Sequence, residues 1–110
     1  MTMQPQIQTM IDKFHRKMAK DEEARKEVEP VRKTVNIDLG TESYSLRLEH
    51  AEILDFKEGM IDGADITLKT TPEYLGALID GTLRPMKAYV TKKITIKGKI
   101  EDIMYLRKLF

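Results

Sequence analysis

Apolar residues recur along this chain with two periods, and the change from one to the other lays out its elements. Ile7, Met10, Ile11, Phe14 and Met18 follow the i, i+3, i+4, i+7, i+11 spacing of one helical stripe, and Pro5 suits a first turn. Residues 21–28 either continue that helix or form a second short one, and Pro30 ends both options. From Thr34 the period falls to two. Val35, Ile37 and Leu39 alternate with polar residues, Gly40-Thr41-Glu42 turns the chain, and Tyr44, Leu46 and Leu48 alternate back. Ala51–Lys57 reads as a third strand carrying Ile53, Leu54 and Phe56, and Gly59 to Gly63 turn the chain again.

The punctuation is clearest over residues 64–98. Ala64–Thr70 sets Ile66 and Leu68 on one face against Asp65, Thr67 and Lys69 on the other, the pattern of a half-buried strand. Thr71-Pro72-Glu73 starts a helix with a capping hydroxyl, a proline in the first turn and a carboxylate at the positive dipole end. Gly81 stops it, because a residue with φ > 0 is needed there. Arg84-Pro85 starts a second short helix over 85–91, and Lys93–Lys97 alternates with Ile94 and Ile96 facing inward. A closing helix over 99–110 has Glu101 and Asp102 in its first turn and Arg107 and Lys108 in its last, matching the macrodipole. That helix is apolar on most sides, so it packs on the sheet and also meets the first helix, a second subunit or a cavity. The expected fold is α+β: a five-stranded, mostly antiparallel sheet with helices on one face and a polar far face bearing Asn36, Asp38, Ser45, Arg47, Thr67 and Thr95.

The run Gly81-Thr82-Leu83-Arg84-Pro85-Met86-Lys87-Ala88-Tyr89, followed by Ile94-Thr95-Ile96-Lys97-Gly98, resembles the sterol carrier protein 2 (SCP-2) family. The family's pattern there is roughly G-x-L-x-P-x-x-A-aromatic and then a short strand ending in glycine. The preceding A-D-φ-T-φ segment (φ apolar) fits as well. Residues 64–110 carry the specific motif, and residues 1–63 match only in element order. Two positions depart: Lys92 stands where many members have glycine, and Arg84 where asparagine is common. The resemblance implies a non-catalytic domain holding a sterol, fatty acid, acyl-CoA or phospholipid in a tunnel between the sheet and its covering helices. Carried onto this chain, the lining is Leu75, Leu78 and Ile79, then Met86, Tyr89 and Val90, then Ile103, Met104 and Leu106. Taken singly, each of these is also an ordinary core residue. The alternative is the same fold with a filled core, acting in dimerisation or in contact with a partner.

Composition narrows the field. A chain of 110 residues, 41% hydrophobic and 34% charged, is read as one domain over 1–110 with a modest core. It has no apolar run near the ~18 residues that span a bilayer. The lack of cysteine excludes disulfides, thiolate metal sites and a cysteine nucleophile, and with Lys108-Leu109-Phe110 in place of a peroxisomal signal the expected location is cytoplasmic. Seven methionines suit an adaptable interior, with Met1 and Met3 read as merely terminal.

Charge is unevenly spread. Residues 34–80 hold three Lys/Arg against ten Asp/Glu, a net of −7, whereas residues 81–110 hold eight against two, a net of +6. Lys92, Lys93, Lys97 and Lys99 around the last strand are either a solubilising rim or a contact for an anionic membrane or ligand headgroup. Nucleic acid is disfavoured by a net charge of only +1 and by the lack of aromatics among the lysines. His15 and His50 are isolated, with His15 read as a solvent-facing helix residue. No zinc, calcium, nucleophile-elbow or phosphate-loop pattern occurs, so neither a cofactor nor a metal is expected.

Overall fold

The structure, a computed structural model, describes residues 2–99. Helix α1 spans Gln4–Lys20 and α2 spans Glu22–Val28. They are separate because Asp21 is extended (φ −111°, ψ 96°) and its carboxylate accepts the Ala24 N–H at 3.1 Å, capping the second helix as the first ends. Strands β1 (Lys33–Asp38), β2 (Ser43–Glu49) and β3 (Glu52–Glu58) follow as a meander. The chain then crosses to β4 (Ile66–Lys69), enters α3 (Pro72–Asp80) and α4 (Pro85–Val90), and returns as β5 (Thr95–Gly98). The closing helix expected over 99–110 lies outside the described residues.

The sheet order is β3-β2-β1-β4-β5. The β1–β2, β2–β3 and β4–β5 pairs are antiparallel and β1–β4 is parallel, a pairing that needs the crossover from one side of the meander to the other. Register stacks the apolar alternation into rows, with Val35 beside Leu46 and Ile66, and Ile37 beside Tyr44 and Leu68. Against this face pack Ile7 and Ile11 of α1 and Leu75 of α3. Met3, expected to be merely terminal, belongs to the same buried cluster at 9% exposure. Its N–H donates to Glu42 Oε1 at 2.6 Å, and the Tyr44 hydroxyl lies 3.0 Å from the same oxygen, so the β1–β2 turn anchors the start of α1.

Three local departures have physical causes. The β2–β3 hairpin turns on His50 (φ 54°) and Ala51 (φ 58°), so Ala51 belongs to the turn rather than to the strand. A bulge at Asp55 (φ 55°) puts two residues opposite one on β2, which lets Ile53 and Phe56, three apart, both pack inward. The far face is polar but not open at its centre: Asn36 and Ser45 are buried, and the Asn36 amide exchanges two hydrogen bonds with Ile61, donating to its carbonyl (2.9 Å) and accepting its N–H (3.0 Å). The 59–65 loop therefore folds back over the sheet.

Candidate functional site

A cavity of about 440 Å³ lies between the inner face of the sheet and α1. Its floor is the alternate-residue rows Val35 and Ile37, Leu46 and Leu48, Ile53, and Ile66 and Leu68. Met10 and Phe14 of α1 form its roof, while Ile7 and Ile11 on the same stripe pack directly on the sheet. Leu78, Ile79, Leu83 and Pro85 close one end. That end exists because Gly81 (φ 86°) reverses the chain after α3, and the Leu83 N–H reaches back to the Ala77 carbonyl at 3.1 Å. A wall of this composition removes hydrocarbon from water and offers few hydrogen-bond partners.

Among the described residues, the charged members of the wall are all cations: Lys13, Lys17, Lys33 and Arg84. Lys13, Lys17, Gly81 and Arg84 are its exposed residues, so the cavity meets solvent beside them. The Thr34 N–H holds the Asp65 carboxyl below the usual range, and Lys33 lies close enough to act in the same direction. Among the described residues no aspartate or glutamate lines the cavity, and no group of three His, Cys, Asp or Glu side chains could hold a metal ion.

The SCP-2 sterol transfer family model matches residues 11–110. The chain belongs to that family. Its fold is shared by solved SCP-2 structures at low identity. Sterol carrier protein 2 like 2 from Aedes aegypti is 19% identical with a TM-score of 0.62, covering 99% of this chain and 100% of that one. Sterol carrier protein 2 from Yarrowia lipolytica, in its apo form, is 18% identical with a TM-score of 0.59, covering 91% and 82%. A sec-alkylsulfatase from Pseudomonas sp. is similar over 78% of this chain at 17% identity and a TM-score of 0.65. This chain spans only 14% of that enzyme's length. No curated protein matches. Among the described residues no helix is long and apolar enough to cross a membrane.

Of the residues that the SCP-2 resemblance assigned to a lining, Leu78 and Ile79 lie on the cavity wall. Leu75 is 1% exposed, in the main core beside it. Met86, Tyr89 and Val90 are 50%, 46% and 72% exposed and do not border this cavity, because the helix they sit on buries Ala88 instead. Ile103, Met104 and Leu106 lie outside the described residues. Lys92, Lys97 and Lys99 are exposed, and Lys93 places its ammonium 5.7 Å from the centre of the Tyr74 ring. None of these four borders the cavity.

The reading from sequence missed the roof and the rim, Met10, Phe14, Lys13, Lys17 and Arg84. A signal was present: Lys13 and Lys17 are four apart and flank the Met10–Phe14 edge of the helical stripe. His15 also departs from expectation. Its Nε2 accepts the Ile53 N–H at 3.0 Å, tying α1 to β3 next to the cavity.

Proposed function

We propose that this protein is a non-catalytic lipid carrier that holds the hydrocarbon part of its ligand in the cavity between the sheet and α1. The observation that carries the reading is the cavity itself. At about 440 Å³ it lies within the roughly 300–1,000 Å³ of small-molecule sites, and its floor and roof are aliphatic and aromatic. Membership of the SCP-2 sterol transfer family supports it, as does likeness in fold to a palmitated Aedes aegypti protein (19% identity, TM-score 0.63). A space of this size weighs against the alternative of a filled-core module used only for dimerisation or partner contact.

The energetics suffice. Burying about fifteen methylenes at ~0.8 kcal/mol each yields roughly 12 kcal/mol gross. Lost freedom and imperfect packing remove several kcal/mol, leaving about −8 kcal/mol, which is micromolar binding. Such a ligand at 100 times its Kd should add about 2.7 kcal/mol to the unfolding free energy. Thermal unfolding and displacement of a fluorescent lipid probe measure this with fatty acid, fatty alcohol, acyl-CoA, sterol and phospholipid. If none raises Tm or displaces the probe, the carrier reading is wrong and the filled-core module replaces it.

A further inference from the structure

We infer that His15 is a proton-sensitive latch on the roof of the cavity, closed while its imidazole is neutral and released when acid protonates it. Its Nε2 accepts the Ile53 N–H at 3.0 Å. Only a ring nitrogen without a proton accepts, and a protonated imidazole carries N–H on both nitrogens, so acid sets donor against donor. The contact and the second proton therefore exclude each other. What the contact joins is the two sides of the cavity, since His15 follows Phe14 of the roof and Ile53 belongs to the floor. The start of α1 is held separately, by Ile7 and Ile11 on the sheet and by the Met3 N–H on Glu42 at 2.6 Å. Losing the His15 contact thus loosens the later part of the helix against a fixed start. Lys13 and Lys17, beside which the cavity meets solvent, lie on that later part. Phe14 and Met18 still pack beneath it, so the change has the size of one hydrogen bond and the helix stays folded.

His15 is half-buried and borders a cleft between α1, α2 and the β2–β3 turn, so solvent reaches it. The charged and titratable groups that face it there are Arg25 of α2, His50 of the turn and Glu52 of β3, with Asp12 one turn earlier on α1. Glu52 and Asp12 attract an imidazolium, whereas Arg25 and a protonated His50 repel it. An imidazolium that leaves Ile53 has Glu52 beside it as an anionic partner. The latch stands on this geometry alone, and its effect on ligand exchange rests on the carrier reading.

The test follows the wild type and the variants His15→Gln, His15→Phe and His50→Gln between about pH 8 and about pH 5, where imidazoles change charge, with Tm as the check on folding. Imidazole nitrogen shifts report the charge of each histidine, and the exchange protection factor of the Ile53 amide reports the contact. Stopped-flow release of a fluorescent long-chain alcohol, whose own charge does not change with pH, reports the roof. In the wild type, Ile53 protection should fall as His15 gains its proton, and the alcohol should leave about fivefold faster at the acid end, the worth of one net hydrogen bond. His50→Gln should keep both changes. His15→Gln, whose amide oxygen accepts without titrating, and His15→Phe, which cannot accept, should lose the pH dependence, and His15→Phe should release at the acid rate throughout. Constant Ile53 protection while His15 titrates, or no titration of His15 in this range, would overturn the inference and leave the carrier reading intact. A release rate that ignores an unlatched amide, or a pH response that survives in the His15 variants or vanishes in His50→Gln, would do the same. If the amide unlatches but neither the alcohol nor the lipids that test the carrier reading bind, that reading fails and the latch stands.

Discussion

Lys92 shows how one residue records a conformation its side chain does not favour. It follows α4 with φ 61°, its N–H donating to the Tyr89 carbonyl at 3.2 Å, while the Lys93 N–H donates to the Ala88 carbonyl at 2.8 Å. Those two bonds are a Schellman ending, whose left-handed residue is most often glycine. Glycine would avoid the clash, whereas Lys92 bears the steric cost of a Cβ, about 1–2 kcal/mol. Lys92→Gly removes that cost but adds backbone freedom to the unfolded chain worth roughly 0.5–1 kcal/mol. The net expectation is a gain of between zero and about 1.5 kcal/mol in urea unfolding with the m-value unchanged. A loss would mean that the Lys92 side chain stabilises the fold through a contact that outweighs its strain.

Between elements, the junction that most needs fastening is the parallel β1–β4 pair, which no hairpin holds. A reciprocal clasp fastens it: Asp65 Oδ2 accepts the Thr34 N–H at 2.9 Å and its hydroxyl at 3.1 Å, and the Asp65 N–H donates to the same hydroxyl at 3.0 Å. The Thr34 N–H holds the Asp65 carboxyl below the usual carboxylate range, with the Thr34 hydroxyl and nearby Lys33 acting in the same direction. A carboxyl depressed on folding contributes stability that is full above its unfolded pKa and is lost as pH falls through the folded value. Asp65 is exposed, so after discounting for solvent screening the contribution is about 1 kcal/mol or less. Asp65→Asn should therefore be less stable than wild type at neutral pH and converge with it in acid, as read from unfolding curves at several pH values. Parallel curves across that range would show that the charge has no part in the clasp. The elements joined here were legible, since Ile66 and Leu68 alternate and Thr71-Pro72 caps α3, its hydroxyl accepting the Tyr74 N–H at 3.2 Å. The β3 bulge and the His50–Ala51 turn were not. Both depend on pairing with β2 and lack the glycine or asparagine that advertises positive φ.

For the molecule as a whole, periodicity tells which face of an element is apolar but not whether that face meets protein or empty space. For that reason Leu75 and Leu78 look alike in the sequence, the stripe of α1 does not mark Met10 and Phe14 as a roof, and the SCP-2 resemblance alone places the short helix expected over 85–91 in the lining. The structure separates the two leucines: Leu75 is 1% exposed in the main cluster, whereas Leu78, also buried, has the cavity on one side. Leu75→Ala should cost roughly 2–5 kcal/mol because it leaves a void among packed neighbours, and Leu78→Ala should fall toward the low end because part of that packing is already missing. Enlargement inverts the pair. Leu75→Trp overpacks and should lose roughly 1–3 kcal/mol, with lipid affinity following only through the damaged fold. Leu78→Trp has space to enter, so it should fill the cavity and abolish binding of a lipid probe while leaving urea unfolding nearly unchanged. Measured together on all four variants, stability and affinity should move apart at residue 78 and together at residue 75. A Leu78→Trp protein that loses stability yet keeps its full lipid affinity would mean that the ligand lies elsewhere and that this space is a packing defect of the core.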